Sequence, residues 1–485
     1  MRCFVRVLVA GVVAVAGLAT RAPACPFCSA VSLTFAQEIA QSQAAVIARL
    51  VEPPPAAALQ PRATGPLPKA TFRVVKALKG SDVVEAAGLA GPDGAPIEVM
   101  MLDAKPVGSL ALIFGIEPPN LVWSSPIAVS DRAVAYLEKL SGLPEKGPER
   151  LAFFLGHLED ADETLARDAY DEFAVAPYAD VKGLKDRMNP AQLLGWIENP
   201  KVQANRRRLY ATMLGVCGTP ADAERIGAIL EGKTAAGEPL PADRAEIRTG
   251  LDALIACYVA LRGPAALDLV DRLFLVRQGR EVPFAETYAA VMALRFLGEE
   301  SDLVPRDRVL ESLRLLLEEP KLADLVIADL SRWQDWSVVE KLAGIFKAAQ
   351  ADNIFVREPI VNYLRACPLP EAAAAVQELE RIDPEACRRA ATLAGLAALA
   401  SQQPAPAGDG RAGPPPGDAA ADAALASRIA PVIGAEEPAD AAPPAGPAVP
   451  ADTRWKWLLW GIAVVVIALV SRAVMQSGGG RRPAA

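Results

Sequence analysis

The run from Trp457 to Met475, close to the end of the chain, is the sequence feature that most limits what the protein can fold into. Arg472 is the one charged residue within it. A helix needs about 20 apolar residues to cross the hydrocarbon core of a bilayer, and tryptophans at the start of the run are typical of a membrane interface. The sequence therefore predicts one transmembrane helix over residues 455–475 and a short basic tail over 476–485.

The first 24 residues are typical of a secretory signal peptide. Two arginines precede an apolar stretch from Val7 to Leu18, which is followed by a small-residue cleavage site, Ala22-Pro23-Ala24. Cleavage would leave Cys25 at the mature N-terminus, where lipid attachment is a minor alternative. Together with the C-terminal span, this signal predicts that the bulk of the chain lies outside the cytoplasm, in the periplasm or at the cell surface, with the tail inside.

Residues 401–453 differ in composition from the rest of the chain. They are rich in Ala, Pro and Gly and contain no Phe, Tyr or Trp. Such a segment cannot bury enough apolar surface to offset its chain entropy. We therefore predict a disordered linker that holds the folded part away from the membrane.

Residues 148–400 have a helical pattern of apolar residues. Leu151, Phe154, Leu155 and Leu158, for example, recur at the spacing of one helix face. Proline at a first helical turn and capping-box spacing mark several helix starts: Asn189-Pro190, Thr219-Pro220, Gly263-Pro264, Asp383-Pro384, Asp160 with Glu163, and Ser337 with Glu340. About a dozen short helices in hairpins of roughly 35–45 residues are typical of a HEAT-like α-solenoid. An irregular helical bundle is the alternative.

Residues 25–140 favour β-structure. After an amphipathic stretch from Leu33 to Gln43, short β-rich runs alternate with Pro- and Gly-rich segments, which predicts a small barrel or sandwich. The predicted strands are Ala44–Val51, Thr71–Leu78, Ile97–Leu102, Gly108–Gly115 and Asn120–Ile127. The fold class is thus multidomain and mainly α, with a small N-terminal β domain.

Four of these segments in order carry a resemblance to a known family: Cys25-x-x-Cys28, Ala44–Val51, Phe72 through Lys79-Gly80, and Gly108–Gly115. They resemble the netrin/TIMP-type OB barrel, which begins at a cysteine and often ends its second strand with Lys-Gly. The family has C-x-C spacing, whereas this chain has C-x-x-C and no partner cysteine within the barrel. The whole arrangement, including Leu322–Leu330, also resembles uncharacterised exported bacterial proteins with HEAT-like repeats, which implies an architecture but no activity.

The pair Cys25 and Cys28 is the most conspicuous candidate for chemistry. In an exported protein it can form a structural disulfide, and in thioredoxin-like folds such a pair is the redox centre. No βαβ pattern surrounds it here, which favours the structural disulfide over a thiol-disulfide oxidoreductase. The resemblance to metalloproteinase inhibitors implies a third alternative, in which the amine and carbonyl of Cys25 chelate the zinc of a target protease.

The other mature cysteines are Cys217, Cys257, Cys367 and Cys387. Two disulfides are predicted, Cys217 with Cys257 and Cys367 with Cys387, because an exported protein permits them. The alternative is that they are small buried core residues. Their wide separation argues against a metal cluster, and the sequence predicts no cofactor.

The pattern of residues gives no support for catalysis. His157 is the one histidine, no nucleophile motif accompanies it, and no Gly-rich phosphate loop occurs within the predicted domains. The net charge of −8 and the lack of a basic stripe give no reason to expect nucleic acid. The cluster Arg206-Arg207-Arg208 is interpreted as a solvated helix face.

Trp333 and Trp336 are the candidate binding residues. They could line a recognition groove, although packing at a corner between helical hairpins is the alternative. Solenoids expose long surfaces to partner proteins. The leading hypothesis is therefore a membrane-anchored binding or scaffold protein that contacts other envelope proteins, and the competing hypotheses are an oxidoreductase and a protease-inhibitor-like module.

Overall fold

The computed structural model of the chain describes residues 27, 32–60, 67–91, 93–350 and 354–392. The predicted signal peptide, Cys25, Cys28, the linker and the transmembrane span lie outside these residues. Within the described ranges, no helix is both long enough and apolar enough to span a membrane.

The N-terminal part is a small, nearly closed antiparallel barrel. Its strands follow the order β3-β2-β1-β4-β5, and β6 also pairs with β4. The elements are α1 (Phe35–Gln41), β1 (Ala44–Glu52), β2 (Lys69–Lys79), α2 (Ser81–Ala86), β3 (Ile97–Met100), β4 (Leu110–Ile116), β5 (Val122–Trp123) and β6 (Ile127–Val129). Four predicted strands are confirmed.

Two details of the barrel differ from the prediction. The fifth predicted strand, Asn120–Ile127, is replaced by the two short strands β5 and β6, and the short helix α2 was not predicted. The chain leaves β2 at Gly80, whose φ is 68°. A Cβ on Gly80 would lie 2.2 Å from the carbonyl oxygen of Gln43, so the close turn into α2 requires glycine.

The central strands bury both faces, because successive side chains of a strand point to opposite sides. Val46 and Ala48 of β1 pack in the barrel interior with Ile113 of β4. Ile47 of β1 and Leu112 of β4 pack instead among the buried residues of the helices. The barrel and the helical part therefore share one apolar contact surface.

The rest of the described chain is helical. The larger helices are α3 (Asp131–Leu140), α4 (Pro148–Leu155), α5 (Glu163–Val175), α6 (Tyr178–Lys182), α7 (Pro190–Ile197), α8 (Ala204–Cys217), α9 (Pro220–Leu230), α10 (Leu251–Arg262), α11 (Leu267–Val270), α12 (Phe284–Glu300), α13 (Arg306–Arg314), α14 (Asp324–Arg332), α15 (Val339–Ala348), α16 (Ile354–Ala366) and α17 (Pro370–Ile382). Residues 384–392 are also helical. Most helices pack on near neighbours in the chain, as α8 does on α7 and α10.

The predicted helix starts are correct where they rest on proline. Helices α7 and α9 begin at Pro190 and Pro220, with Asn189 and Thr219 as their N-caps. The two predicted capping boxes within 160–163 and 337–340 are wrong. Asp162 caps α5, and Asp335 caps the turn over residues 336–338, because each of these carboxylates accepts the N–H two residues ahead.

The interpretation of Arg206-Arg207-Arg208 as a solvated face is also wrong. Arg206 and Arg207 are buried. Arg206 donates to the Glu163 carboxylate at 2.6 Å, and Arg207 donates to the backbone carbonyls of Val202, just before α8, and of Glu246, in the segment over residues 242–248. Arg208 alone is half-exposed, 3.0 Å from Asp252. Buried guanidinium groups need such partners, and the partners come from other elements.

Candidate functional site

The four described cysteines are free thiols. The structure therefore does not support the pairs Cys217 with Cys257 and Cys367 with Cys387. Cys257, Cys367 and Cys387 are buried and Cys217 is half-buried, as expected for small core residues. Burial raises the pKa of Cys217 to about 11 and also raises that of Cys257, so neither is an activated thiolate.

Phe27 shows where one residue of the Cys25-Pro26-Phe27-Cys28 motif packs. Its ring is 6% exposed and lies edge-on to Phe296 of α12, with the centroids 4.9 Å apart. Phe296 in turn packs against Tyr178 of α6. The phenylalanine of the motif is therefore a core residue of the helical part. The disulfide and redox hypotheses for Cys25 and Cys28 stay predictions.

Trp333 and Trp336 pack at corners between helices, which was the alternative to a binding role. The ring of Trp333 lies against Gly298 and between the guanidinium groups of Arg306 and Arg332, each 5.4 Å from the ring centroid. Trp336 lies 5.2 Å from Tyr363 of α16. Both indoles are half-buried in these contacts.

His157 takes part in a structural contact. Its Nδ1 lies 3.0 Å from a carboxylate oxygen of Asp160, and its ring packs edge-on against Tyr136 at 4.9 Å. Among the described residues, no group of histidine, cysteine, aspartate and glutamate side chains is arranged to hold a metal ion.

A groove of about 560 Å³ lies between α4 and α7 and is a candidate binding site. One wall is α4 with the turn that follows it, and the other is α7 with the turn that precedes it. The lining residues are Ala152, Leu155, Gly156, Leu158, Glu159, Arg187, Asn189, Gln192, Leu193 and Trp196.

The α7 wall carries a polar and aromatic stripe. Asn189, Gln192 and Trp196 follow the spacing i, i+3, i+7, which places them on one face of the helix. The carboxamide of Asn189 caps α7 by accepting the N–H of Gln192. The side-chain amide of Gln192 and the indole N–H of Trp196 make no hydrogen bond to any residue within the described ranges. These groups are free to bind a ligand.

The α4 wall is mainly apolar. Ala152 and Leu155 lie on α4, and Gly156 and Glu159 lie in the turn that follows it. Gly156 has no side chain, and Ala152 has only a methyl group, which leaves room above this wall. Leu158 and Leu193 are buried beneath the groove. The two walls together present an apolar floor with polar groups on one side.

One end of the groove is held by a buried tyrosine. The Tyr210 hydroxyl donates to Oε1 of Glu159 at 2.6 Å, and the Tyr210 ring packs against Trp196 with the centroids 4.7 Å apart. Burial, together with the hydrogen bond to Glu159, raises the pKa of Tyr210, so the hydroxyl keeps its proton. Arg206 lies 3.7 Å from the same carboxylate and also binds Glu163. With one cation and two carboxylates, this end carries a net negative charge.

The opposite end carries Arg187. Its guanidinium donates to Glu149 at 2.6 Å, and both side chains are about half-exposed or more. The groove therefore has one negatively charged end, one end where the charges of Arg187 and Glu149 cancel, and an apolar centre. Such a site can bind a chain-like ligand that is apolar in its middle, but it holds no nucleophile beside a general base.

Sequence reasoning missed this groove. The apolar residues of α4 were recognised as a helical pattern, but only Leu155 and Leu158 of that pattern line the groove. The signal that could have located the site is the helical spacing of Asn189, Gln192 and Trp196 directly after a proline-marked helix start. Their partner wall lies about 40 residues earlier, and no local pattern connects the two.

Comparison of the chain with protein-family models, with curated proteins and with solved structures gives no match. The functional assignment therefore depends on the geometry of the groove.

Proposed function

We propose that the protein is a non-catalytic binding protein of the cell envelope that holds an extended segment of a partner protein in the α4–α7 groove. The observation that carries this proposal is the stripe of Asn189, Gln192 and Trp196, in which the Gln192 amide and the Trp196 indole N–H are free and line the groove opposite a mainly apolar wall. A carboxamide offers one donor side and one acceptor side, which match the N–H and C=O of a peptide group.

The dimensions of the stripe suit a short extended peptide. Asn189 and Trp196 are seven residues apart, which corresponds to about 10 Å along a helix axis. An extended chain rises about 3.3 Å per residue, so the groove spans roughly three residues of a partner. An apolar side chain would pack on Trp196 and Leu155, and a basic side chain would suit the end that carries Glu159 and Glu163.

The finer architecture belongs to the same proposal. The barrel is of the OB type, as the resemblance to netrin/TIMP domains implies, and the helices form a HEAT-like solenoid. Packing of helices on near neighbours in the chain supports the solenoid. The linker over residues 401–453 and the span over 455–475 would present the groove on the outer side of a membrane.

Photo-crosslinking in cells tests whether the groove binds a partner. A benzophenone amino acid replaces Gln192 in the groove or, as the control, Glu340, an exposed residue of α15. We expect a discrete cross-linked envelope protein from position 192 and not from position 340, with the attached segment mapped by mass spectrometry. The proposal is wrong if position 192 gives no discrete product, or if both positions give the same one.

Titration of the mapped peptide onto the purified full-length chain then tests the individual contacts. Trp196→Ala should weaken binding by about 30-fold, because a central tryptophan typically contributes 2 kcal/mol or more. Gln192→Ala should weaken binding by about 5- to 10-fold through loss of one hydrogen-bonded pair, without touching the core. Glu340→Ala should leave the affinity unchanged. Equal binding by all four proteins would rule out this groove.

A further inference from the structure

A buried carboxylate joins the N-terminal segment to the helical part. Asp168 of α5 is 3% exposed. Its Oδ1 accepts the backbone N–H of Phe35 at 2.7 Å, and its Oδ2 accepts the hydroxyl of Tyr136 at 2.6 Å. One turn away, Asp171 accepts the hydroxyl of Ser32 at 3.1 Å. Asp168 therefore links three elements: α1, α3 and α5.

We propose that Asp168 is the centre of a proton-linked latch that holds α1 against the helical part, closed when the carboxyl group is protonated and progressively looser as it ionises. The latch comprises Ser32, Phe35, Tyr136, Asp168 and Asp171. It does not depend on the proposed binding function.

The surroundings of Asp168 disfavour its negative charge. Asp171 and Glu172 lie within one turn on the same helix and are also buried. Arg150 of α4 forms a two-pronged ion pair with Glu172 at 2.7 and 3.0 Å. Among the described residues, no cation lies within ion-pair distance of Asp168, whose two partners are neutral donors. On the α1 side the charged neighbours include Glu38, Arg167 of α5 and Lys79 of β2, whose ammonium group donates to backbone carbonyls at the end of α1.

These contacts determine the pKa of the Asp168 carboxyl group. Burial raises the pKa of Asp168 to about 7, and the charges of Glu172 and Asp171 act in the same direction. The hydrogen bonds from Tyr136 and Phe35 act against it by favouring the ionised form. When α1 moves away, water reaches the carboxyl group and its pKa returns to the usual value of about 3.9.

The sign of the pH dependence follows from this difference. Between about pH 4 and 7 the closed latch binds a proton that the open latch releases to water, so opening becomes about tenfold more favourable per pH unit. Above about pH 8 both forms are ionised, and the opening equilibrium no longer changes with pH. The latch is therefore tightest below about pH 4 and loosens through the mildly acidic range.

The latch also reaches the wall of the groove. The ring of Tyr136 packs on Phe153 at 5.1 Å and on His157 at 4.9 Å. These residues alternate with Ala152, Leu155 and Gly156 of the groove wall. If the proposed binding function holds, opening of the latch removes support from that wall.

Hydrogen-exchange mass spectrometry of the full-length chain tests the latch without any ligand. Exchange of the segment over residues 33–43 is measured from pH 5 to 8.5 and divided by the intrinsic exchange rate at each pH. We expect the corrected opening equilibrium to rise about 50-fold between pH 5 and 7 and to level off near pH 8. Asp168→Asn should give a flat profile, because its carboxamide oxygen still accepts the Phe35 N–H but does not titrate.

Two further variants keep the test decisive. Tyr136→Phe removes a hydrogen bond that favours the ionised form of Asp168, so the pKa of this carboxyl group should rise. The pH at which opening stops increasing should therefore be higher in this variant than in the natural chain. Asp186→Asn, at an exposed aspartate far from the latch in sequence, should leave the profile unchanged. The proposal is wrong if opening in the natural chain does not depend on pH, or if Asp168→Asn leaves that dependence unchanged. It is also wrong if Tyr136→Phe lowers the pH at which opening levels off.

Discussion

Arg207 is a buried cation whose partners are neutral. It is 3% exposed, and its guanidinium donates to the carbonyl oxygens of Val202 and Glu246. Burial lowers the pKa of Arg207, against the opposing effect of the Glu246 charge. The side chain thus ties the turn before α8 to the segment over residues 242–248. Its role is structural.

The neighbouring Arg208 provides a control for the structural role of Arg207. Arg207→Ala should lower the free energy of unfolding by about 3 kcal/mol, because it leaves buried carbonyl groups without donors. Arg208→Ala should cost less than about 1 kcal/mol, because its ion pair with Asp252 is half-exposed. Urea unfolding of the full-length chain, followed by tryptophan fluorescence, measures both. Similar losses from the two variants would contradict the structural role.

The contact between α12 and the end of α14 depends on the absence of a side chain at Gly298. A Cβ at this position would lie 2.7 Å from the ring of Trp333, whose ring also lies between two arginines. These contacts fix the position of the Trp333 ring.

Two glycine-to-alanine changes in helices test this packing. Gly298→Ala should destabilise the protein by about 1–3 kcal/mol, because Trp333 must move to admit the methyl group. Gly344→Ala in α15, where nothing lies within 4 Å of the added Cβ, should stabilise it by about 0.5–1 kcal/mol through helix propensity. Thermal unfolding of the two variants should therefore shift in opposite directions. Stabilisation by Gly298→Ala would show that the Trp333 contact is looser than described.

The sequence predicted the elements better than the contacts between them. The β-rich run Ala44–Val51 predicted a strand, and Asn189-Pro190 predicted the start of α7, because both signals are local. Burial of Arg206 and Arg207 could not be predicted, since the partners Glu163 and Glu246 lie about 40 residues away in the chain. The groove could not be predicted for the same reason. Each wall carries a recognisable stripe of residues, but the packing of whole helices decides which stripes face each other.

At the scale of the whole molecule, the described core ends close to the predicted linker. Cys387 and Ala390 are still buried against the helical core. Residues 401–453 begin about ten residues later and contain no aromatic residue that could anchor them. The barrel, groove and latch all lie N-terminal to this boundary, so a cut in the linker should leave them together in one fragment.

Limited proteolysis of the full-length chain, in the membrane fraction where the proposed span would hold it, tests this organisation. Unanchored segments rich in small residues are cut first, and Arg411 and Arg428 are the basic residues within the linker before Arg454 at its end. Trypsin at low concentration should therefore cut first at Arg411 or Arg428 and release a soluble fragment that ends there. Because no core residue is lost, that fragment should keep the thermal midpoint and the latch profile of the parent chain. Replacing both arginines with Gln should delay its release, which serves as the control for the site of cleavage. A first cut N-terminal to residue 390, or a fragment that stays with the membrane after cleavage, would show that the helical part itself is held there and would place the boundary elsewhere.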